Sequence, residues 1–228
     1  WATGIGGIYY SSFNAQGQAI NGTVTARIED YNVFYSQGAG GVYTVSQVNA
    51  AGEYAVAYVR NTDQKVVVNR YSNSDALLSS TELGVGVGTS TTTNKMMPRI
   101  DLLPNGEMVV TWQGRDGGGD FSVYTQKLSA SGVPVGATTM VESSQNTALD
   151  DGAQLAIVPQ GSNGAYVLVF SGHNASNGQD VYAQRYAANG DKVGSVFKLS
   201  NGNYYLGAID AQTFDGGNAS YLTWVKSD

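Results

Sequence analysis

The chain has no cysteine, one histidine and only 13% charged residues in 228. Without cysteine there is no disulfide framework and no thiolate chemistry. With His173 alone, a histidine-based zinc site is excluded. A Ser-His-Asp triad would have to use His173, yet no G-x-S-x-G elbow is present and His173 reads as part of a variable loop. Basic residues are also scarce: twelve Lys and Arg, scattered, against eighteen acids, for a formal charge of −6. Phosphate backbones need clustered cations, so nucleic acid is not an expected partner. No run of 18 apolar residues occurs, and no transmembrane segment is expected. Stretches with an apolar stripe at helical spacing are few. The chain opens on Trp1 rather than Met, which reads as a processed product or an excised segment.

What the chain has in quantity is glycine, thirty residues, and tyrosine, fifteen. Short runs rich in Val, Tyr and Thr alternate with period two and end at Gly or Asn, the pattern of an all-β protein. The runs also recur. "YAVAY", "MVVTW", "YVLVF" and "SYLTW" end on Tyr58, Trp112, Phe170 and Trp224, and Trp1 holds the same place at the start. The intervals are 57, 54, 58 and 54 residues.

Within each interval the same strands can be read. After the aromatic and a polar loop come "GIYYSSF", "VVVNRY", "SVYTQKL" or "DVYAQRY". A turn follows at Gly17, Ser74, Gly132 or Gly190, then a looser strand opening on Ile20, Leu77, Val135 or Val193. A fourth, "VYTVSQV", "PRIDLLP", "QLAIVPQ" or "AIDAQTF", leads back through a Gly/Asn turn. Four short strands every ~50 to 60 residues are the signature of a β-propeller blade. A solenoid has shorter repeats, and a sandwich needs no internal period. The expected architecture is a single propeller domain over 1–228, with repeats at about 1–57, 58–111, 112–169 and 170–223. It is read as four blades, with both chain ends in the closing blade; four repeats cut from a longer array are the alternative.

The stretches "VVTWQGRDGGGDFSVYTQKLSASGVPVG" and "VLVFSGHNASNGQDVYAQRYAANGDKVGSVFKLS" resemble repeats of large secreted bacterial surface proteins, adhesin-like and RTX-type calcium-binding. The likeness is strong over 108–200 and weaker over 58–98, where Val68 and Asn69 stand in place of Ala183 and Gln184. It implies an extracellular, cell-surface location and a structural motif, with no defined chemistry.

Three groups of residues are candidates for function. The loops "RDGGGD" and "HNASNGQD" carry Asp116, Asp120, Asn174, Asn177 and Asp180, and "RNTDQK" is a thinner version with Asn61 and Asp63. Spaced Asp, Asn and Gly can supply calcium with oxygens, although none of these loops matches a full D-x-[DN]-x-[DN]-G pattern. The same residues also make turns unaided. Next, the strand lining the channel carries Asp101 in "RIDLL" and Asp210 in "AIDAQ", aligned as equivalents in blades two and four. Two inward carboxylates facing across the axis could bind a ligand or cation, or raise each other's pKa as an acid/base pair requires. Alternatively Asp101 pairs with Arg99 and Asp210 caps a turn. Finally Tyr9, Tyr10, Tyr31, Tyr35, Tyr204 and Tyr205 are candidates for an exposed binding face. The four strand-ending aromatics read instead as blade-to-blade packing. N-x-S/T occurs at Asn21, Asn174 and Asn218 and matters only in a host that glycosylates such sites.

The reading is a non-enzymatic extracellular binding or scaffold module, calcium-stabilised, whose partner is a glycan, a protein ligand or further copies of itself. The alternatives are a carbohydrate-active enzyme with axial carboxylates and a structural subunit of a surface layer or filament.

Overall fold

A computed structural model describes residues 8–10, 16–18, 26–28, 44–60, 65–84, 98–115, 121–141, 155–173, 179–200, 205–215 and 219–227. The described residues are all-β, as the alternation requires. Strands β1 (Ile8–Tyr10) and β2 (Ala26–Ile28) form an antiparallel pair. Strands β3 (Thr44–Val48), β4 (Tyr54–Val59), β5 (Val66–Tyr71) and β6 (Leu77–Leu83) follow as a four-stranded meander. A second meander holds β7 (Arg99–Leu102), β8 (Met108–Arg115), β9 (Phe121–Leu128) and β10 (Pro134–Val141). The third contains β11 (Leu155–Gln160), β12 (Ala165–His173), β13 (Gln179–Tyr186) and β14 (Lys192–Lys198). The last pair is β15 (Tyr205–Phe214) and β16 (Ala219–Ser227). The described strands fall where the period placed them, while Ile20, the expected opening of the first looser strand, lies outside the described residues. His173 is a correction, because it closes β12 opposite Gln179 instead of lying in a loop.

Alternation along the strands gives each of the three four-stranded sheets two apolar faces, and neighbouring sheets stack through them. Ala57, Val66 and Val68 of the first meander pack on Met108, Val110 and Trp112 of the second. Val109 and Val123 on the opposite face of the second meet Leu168, Phe170 and Tyr186 of the third. Val169 and Ala183 of the third then meet Ile209 and Leu222 of the β15–β16 pair. The first strands also lie against each other, β3 on β7 and β11 on β15. Among the described residues the result is a propeller-like stack with no closed barrel. Trp112 and Phe170 are buried between sheets, as expected of them, whereas Tyr58 is buried among residues of its own meander and Trp224 is 39% exposed.

The turn after the third strand shows what the repeat preserves. Gly132 and Gly190 sit at φ of 88° and 86°, in the left-handed region where a Cβ is costly. In the first meander that role falls to Asp75, at φ 65°, and not to Ser74. The backbone bonds agree: the amides of Asp75, Gly132 and Gly190 each donate to the carbonyl three residues back. Aspartate tolerates this conformation better than most residues, which is why the turn survives without glycine.

Candidate functional site

The first strand of each sheet is read most directly from its pairing to the second. Arg99 pairs with Thr111 and Asp210 with Thr223, and both threonines immediately precede the repeated tryptophan. Arg99, and not Asp101, is therefore the equivalent of Asp210. Asp101 lies two residues further along β7, opposite Val109 and on the same face as Arg99. The expected pair of acids is still brought together, with a cation between its members. Arg99 Nε stands 3.6 Å from Asp101 Oδ2, and Arg99 Nη2 stands 3.8 Å from Asp210 Oδ1.

The two carboxylates differ in surroundings. Asp210 is open to solvent, its side chain 59% exposed, while that of Asp101 is 23% exposed. Asp101 Oδ2 is buried and accepts no hydrogen bond, since 3.6 Å exceeds hydrogen-bond length. Burial pushes the Asp101 carboxyl up to about 6, against the pull of Arg99 and with a small push from Asp210. An ion triad joining β7 to β15 is the result, with one poorly solvated acid in it.

The calcium candidates divide. Asp116, Asp120, Asn174 and Asn177, with Asn61 and Asp63, lie outside the described residues. Asp180 is fully buried, with Lys198 Nζ 2.6 Å from Oδ2 and the Ser200 hydroxyl donating to Oδ1 at 3.2 Å. Both of its oxygens are thus engaged by β14 and the residues after it. Among the tyrosines, the backbone places Tyr9 and Tyr10 in β1 and Tyr205 at the start of β15. Tyr31, Tyr35 and Tyr204 lie outside the described residues.

Two features of the repeated strand carry structure that sequence reasoning left unassigned. Gln126 and Gln184 are buried, and each donates through Nε2 to three carbonyls, its neighbour's and two of the outer strand. Both clamp the bulge where the outer strand slips register, at Gly136 and Gly194. The shorter Asn69 donates instead to the Tyr71 hydroxyl at 3.1 Å. Lys127 is 1% exposed, pairs with Glu107 of its own sheet and donates to the carbonyls of Gly164 and Ala188 in the next. Arg70 and Glu53 form the weaker copy at 3.3 Å. In the third sheet Ala165 replaces the acid, and Arg185 lies over the Phe197 ring, 5.1 Å from its centre. The recurring spacing of a glutamate before the second strand and a cation late in the third was the available signal.

A cleft of about 430 Å³ opens between the third sheet and β16, lined by Val158, Val169, Ala183, Phe197, Leu199 and Leu222 among others.

No protein-family model matches the chain, and no curated protein does. Among solved structures it is similar to a puromycin hydrolase mutant complexed with PGG, at 12% identity and a TM-score of 0.48. That match covers 80% of this chain but 27% of the hydrolase. An endo-arabinase from Bacteroides thetaiotaomicron VPI-5482 matches at 10% identity and a TM-score of 0.31, covering 80% of this chain and 88% of the other. The chain thus spans about a quarter of the length of the first.

Proposed function

We propose that the four repeats form one four-bladed propeller that serves as a non-enzymatic binding or scaffold module of a bacterial cell-surface protein. The observation that supports this is the ion triad. Arg99 stands between Asp101 and Asp210, so the axial charges are largely spent on each other and on joining β7 to β15. Buried polar side chains beyond it, Gln126, Gln184 and Lys127, clamp bulges and adjacent sheets. Such a frame is rigid, and rigid frames present their variable loops for recognition. The loops holding Asp116, Asp120, Asn174 and Asn177 are the display elements, with calcium as the ion that orders them. Glycan-array binding that disappears in EGTA and returns with calcium supports this reading. Binding that survives EGTA removes calcium from it, and self-association without any glycan signal turns it into a structural subunit.

A carbohydrate-active enzyme is the second reading, and one observation favours it. Asp101 is pushed up to about 6 with a second carboxylate nearby, the condition a general acid needs. Reducing-end release from a polysaccharide, lost in Asp101→Asn, would establish it.

A further inference from the structure

We infer that Asn163–Gly164, in the turn between β11 and β12, is a self-modification site, where deamidation of the asparagine to isoaspartate releases the Lys127 contact between the second and third meanders. Its chemistry is independent of what the loops bind. Asparagine before glycine is a labile pairing, because glycine has no Cβ to keep its amide nitrogen away from the asparagine side chain. Three such junctions lie among the described residues, at Asn105, Asn163 and Asn189, while those at Asn21, Asn177 and Asn201 lie outside them. All three asparagines are exposed, and their glycines hold φ of 81°, 86° and 86°. Exposure and glycine conformation do not separate them.

Hydrogen bonding does. At two junctions the attacking nitrogen is occupied: Gly106 N–H donates to the Leu103 carbonyl and Gly190 N–H to that of Ala187, both at 2.9 Å. The leaving nitrogen is held as well, since Asn105 Nδ2 donates to Glu107 Oε2 and Asn189 Nδ2 to Asp191 Oδ2. Those carboxylates also oppose the negative charge that a glycine nitrogen gains as it loses its proton. In the β11–β12 turn the residue two places on is the uncharged Ala165. Its amide donates to Asn163 Oδ1 at 3.0 Å and polarises the carbonyl under attack, as the amides of Glu107 and Asp191 do in their own turns. Among the described residues, however, neither Gly164 N–H nor Asn163 Nδ2 meets an acceptor. Asn163 is activated like the others and lacks their restraints.

In the reaction Gly164 N gives its proton to water or hydroxide and bonds to Asn163 Cγ, and Nδ2 leaves as ammonia. Water then opens either carbonyl of the succinimide, leaving aspartate or isoaspartate, with no change of oxidation state. Isoaspartate adds a methylene to the main chain one peptide before the Gly164 carbonyl, which accepts from Lys127 Nζ at 3.0 Å. The same packing retains the glycine. A Cβ at 164 would stand 2.6 Å from both Lys127 Nζ and Asn105 Nδ2 and would run into Glu107 Oε2.

The test ages the intact chain at mildly alkaline pH and digests it at mildly acidic pH, where deamidation is slow. Each Asn-Gly peptide is scored by mass for a gain of about one unit and by an isoaspartyl methyltransferase for the rearranged linkage. Each hydrogen bond that must break first slows attack by about two- to tenfold, so Asn163 should convert at least tenfold faster than Asn105 or Asn189. In the chain unfolded by urea the three rates should converge. Equal rates in the folded chain, Asn105 or Asn189 leading, or the same ordering in urea would each overturn the inference. Asn163→Ser, aged alongside, should keep its urea midpoint while that of the unaltered chain falls. Equal falls in the two would overturn the release of Lys127.

Discussion

Lys127→Ala is the most informative single perturbation of the stack. The ammonium is 1% exposed and answers three acceptors: the Glu107 carboxylate and the carbonyls of Gly164 and Ala188. Truncation leaves both carbonyls without this donor in a place water does not readily reach, at about 1–3 kcal/mol each before relaxation. Glu107, 22% exposed, loses its cation but keeps a hydrogen bond from the Asn105 amide, which softens its share. The net expectation is a loss of about 3–4 kcal/mol, near the range for breaking a buried pair from one side. Arg70→Ala removes the same kind of contact where the side chains are 14% and 37% exposed, so about 1 kcal/mol is expected there. Urea unfolding followed by tryptophan fluorescence suits both, because Trp112 is fully buried between the first and second meanders. A Lys127→Ala cost below about 1 kcal/mol, or one no larger than that of Arg70→Ala, would refute the claim that buried cations join the sheets.

Three further outcomes are expected. The Asp101 carboxyl is raised from its ordinary 3.8 to about 6, so the folded chain holds that proton more tightly than the unfolded one. Its stabilising contribution is complete below about pH 4 and is lost as pH rises through 6; Asp101→Asn should flatten that slope and raise stability at pH 7 by up to about 2 kcal/mol. An unchanged slope in denaturation midpoints between pH 4 and 6.5 would show that the carboxyl is well solvated. Gln184→Ala removes a donor shared by three carbonyls at a bulge, and a loss of about 2 kcal/mol in urea is expected, against a few tenths if water takes over. Asp75→Gly relieves a left-handed residue but gives up the bond from the Tyr54 hydroxyl to Asp75 Oδ1, 3.0 Å long. Those effects are of similar size, so the variant should be near neutral, while Asp75→Ala loses the bond, keeps the strain and falls about 1–2 kcal/mol below it in thermal or urea unfolding.

How much of this was legible in the sequence follows from what each signal depends on. "EMVVTW" and "SVYTQKL" announce strands because both faces of each are buried, so apolar residues crowd them and the tryptophan marks the phase. The turn at Ser74 was misplaced by one residue because Asp75 takes a conformation usually marked by glycine. Matching "RID" to "AID" by letters put Asp101 level with Asp210, whereas strand pairing put Arg99 there. The letters cannot count the turn residues that set the register. The recurring cation at Lys127 gives no hint of burial on its own: a lysine in an alternating strand reads as solvent-facing, and only the neighbouring sheet's carbonyls make its burial tolerable.

The central claim is that the module binds its ligand without catalysis. The most direct measurement incubates the protein with a panel of bacterial and plant polysaccharides and follows bound glycan and newly released reducing ends in the same sample. The account predicts retention of glycan with no release above the protein-free control, for the unaltered chain and for Asp101→Asn alike. Release that rises with time and disappears in Asp101→Asn would contradict it.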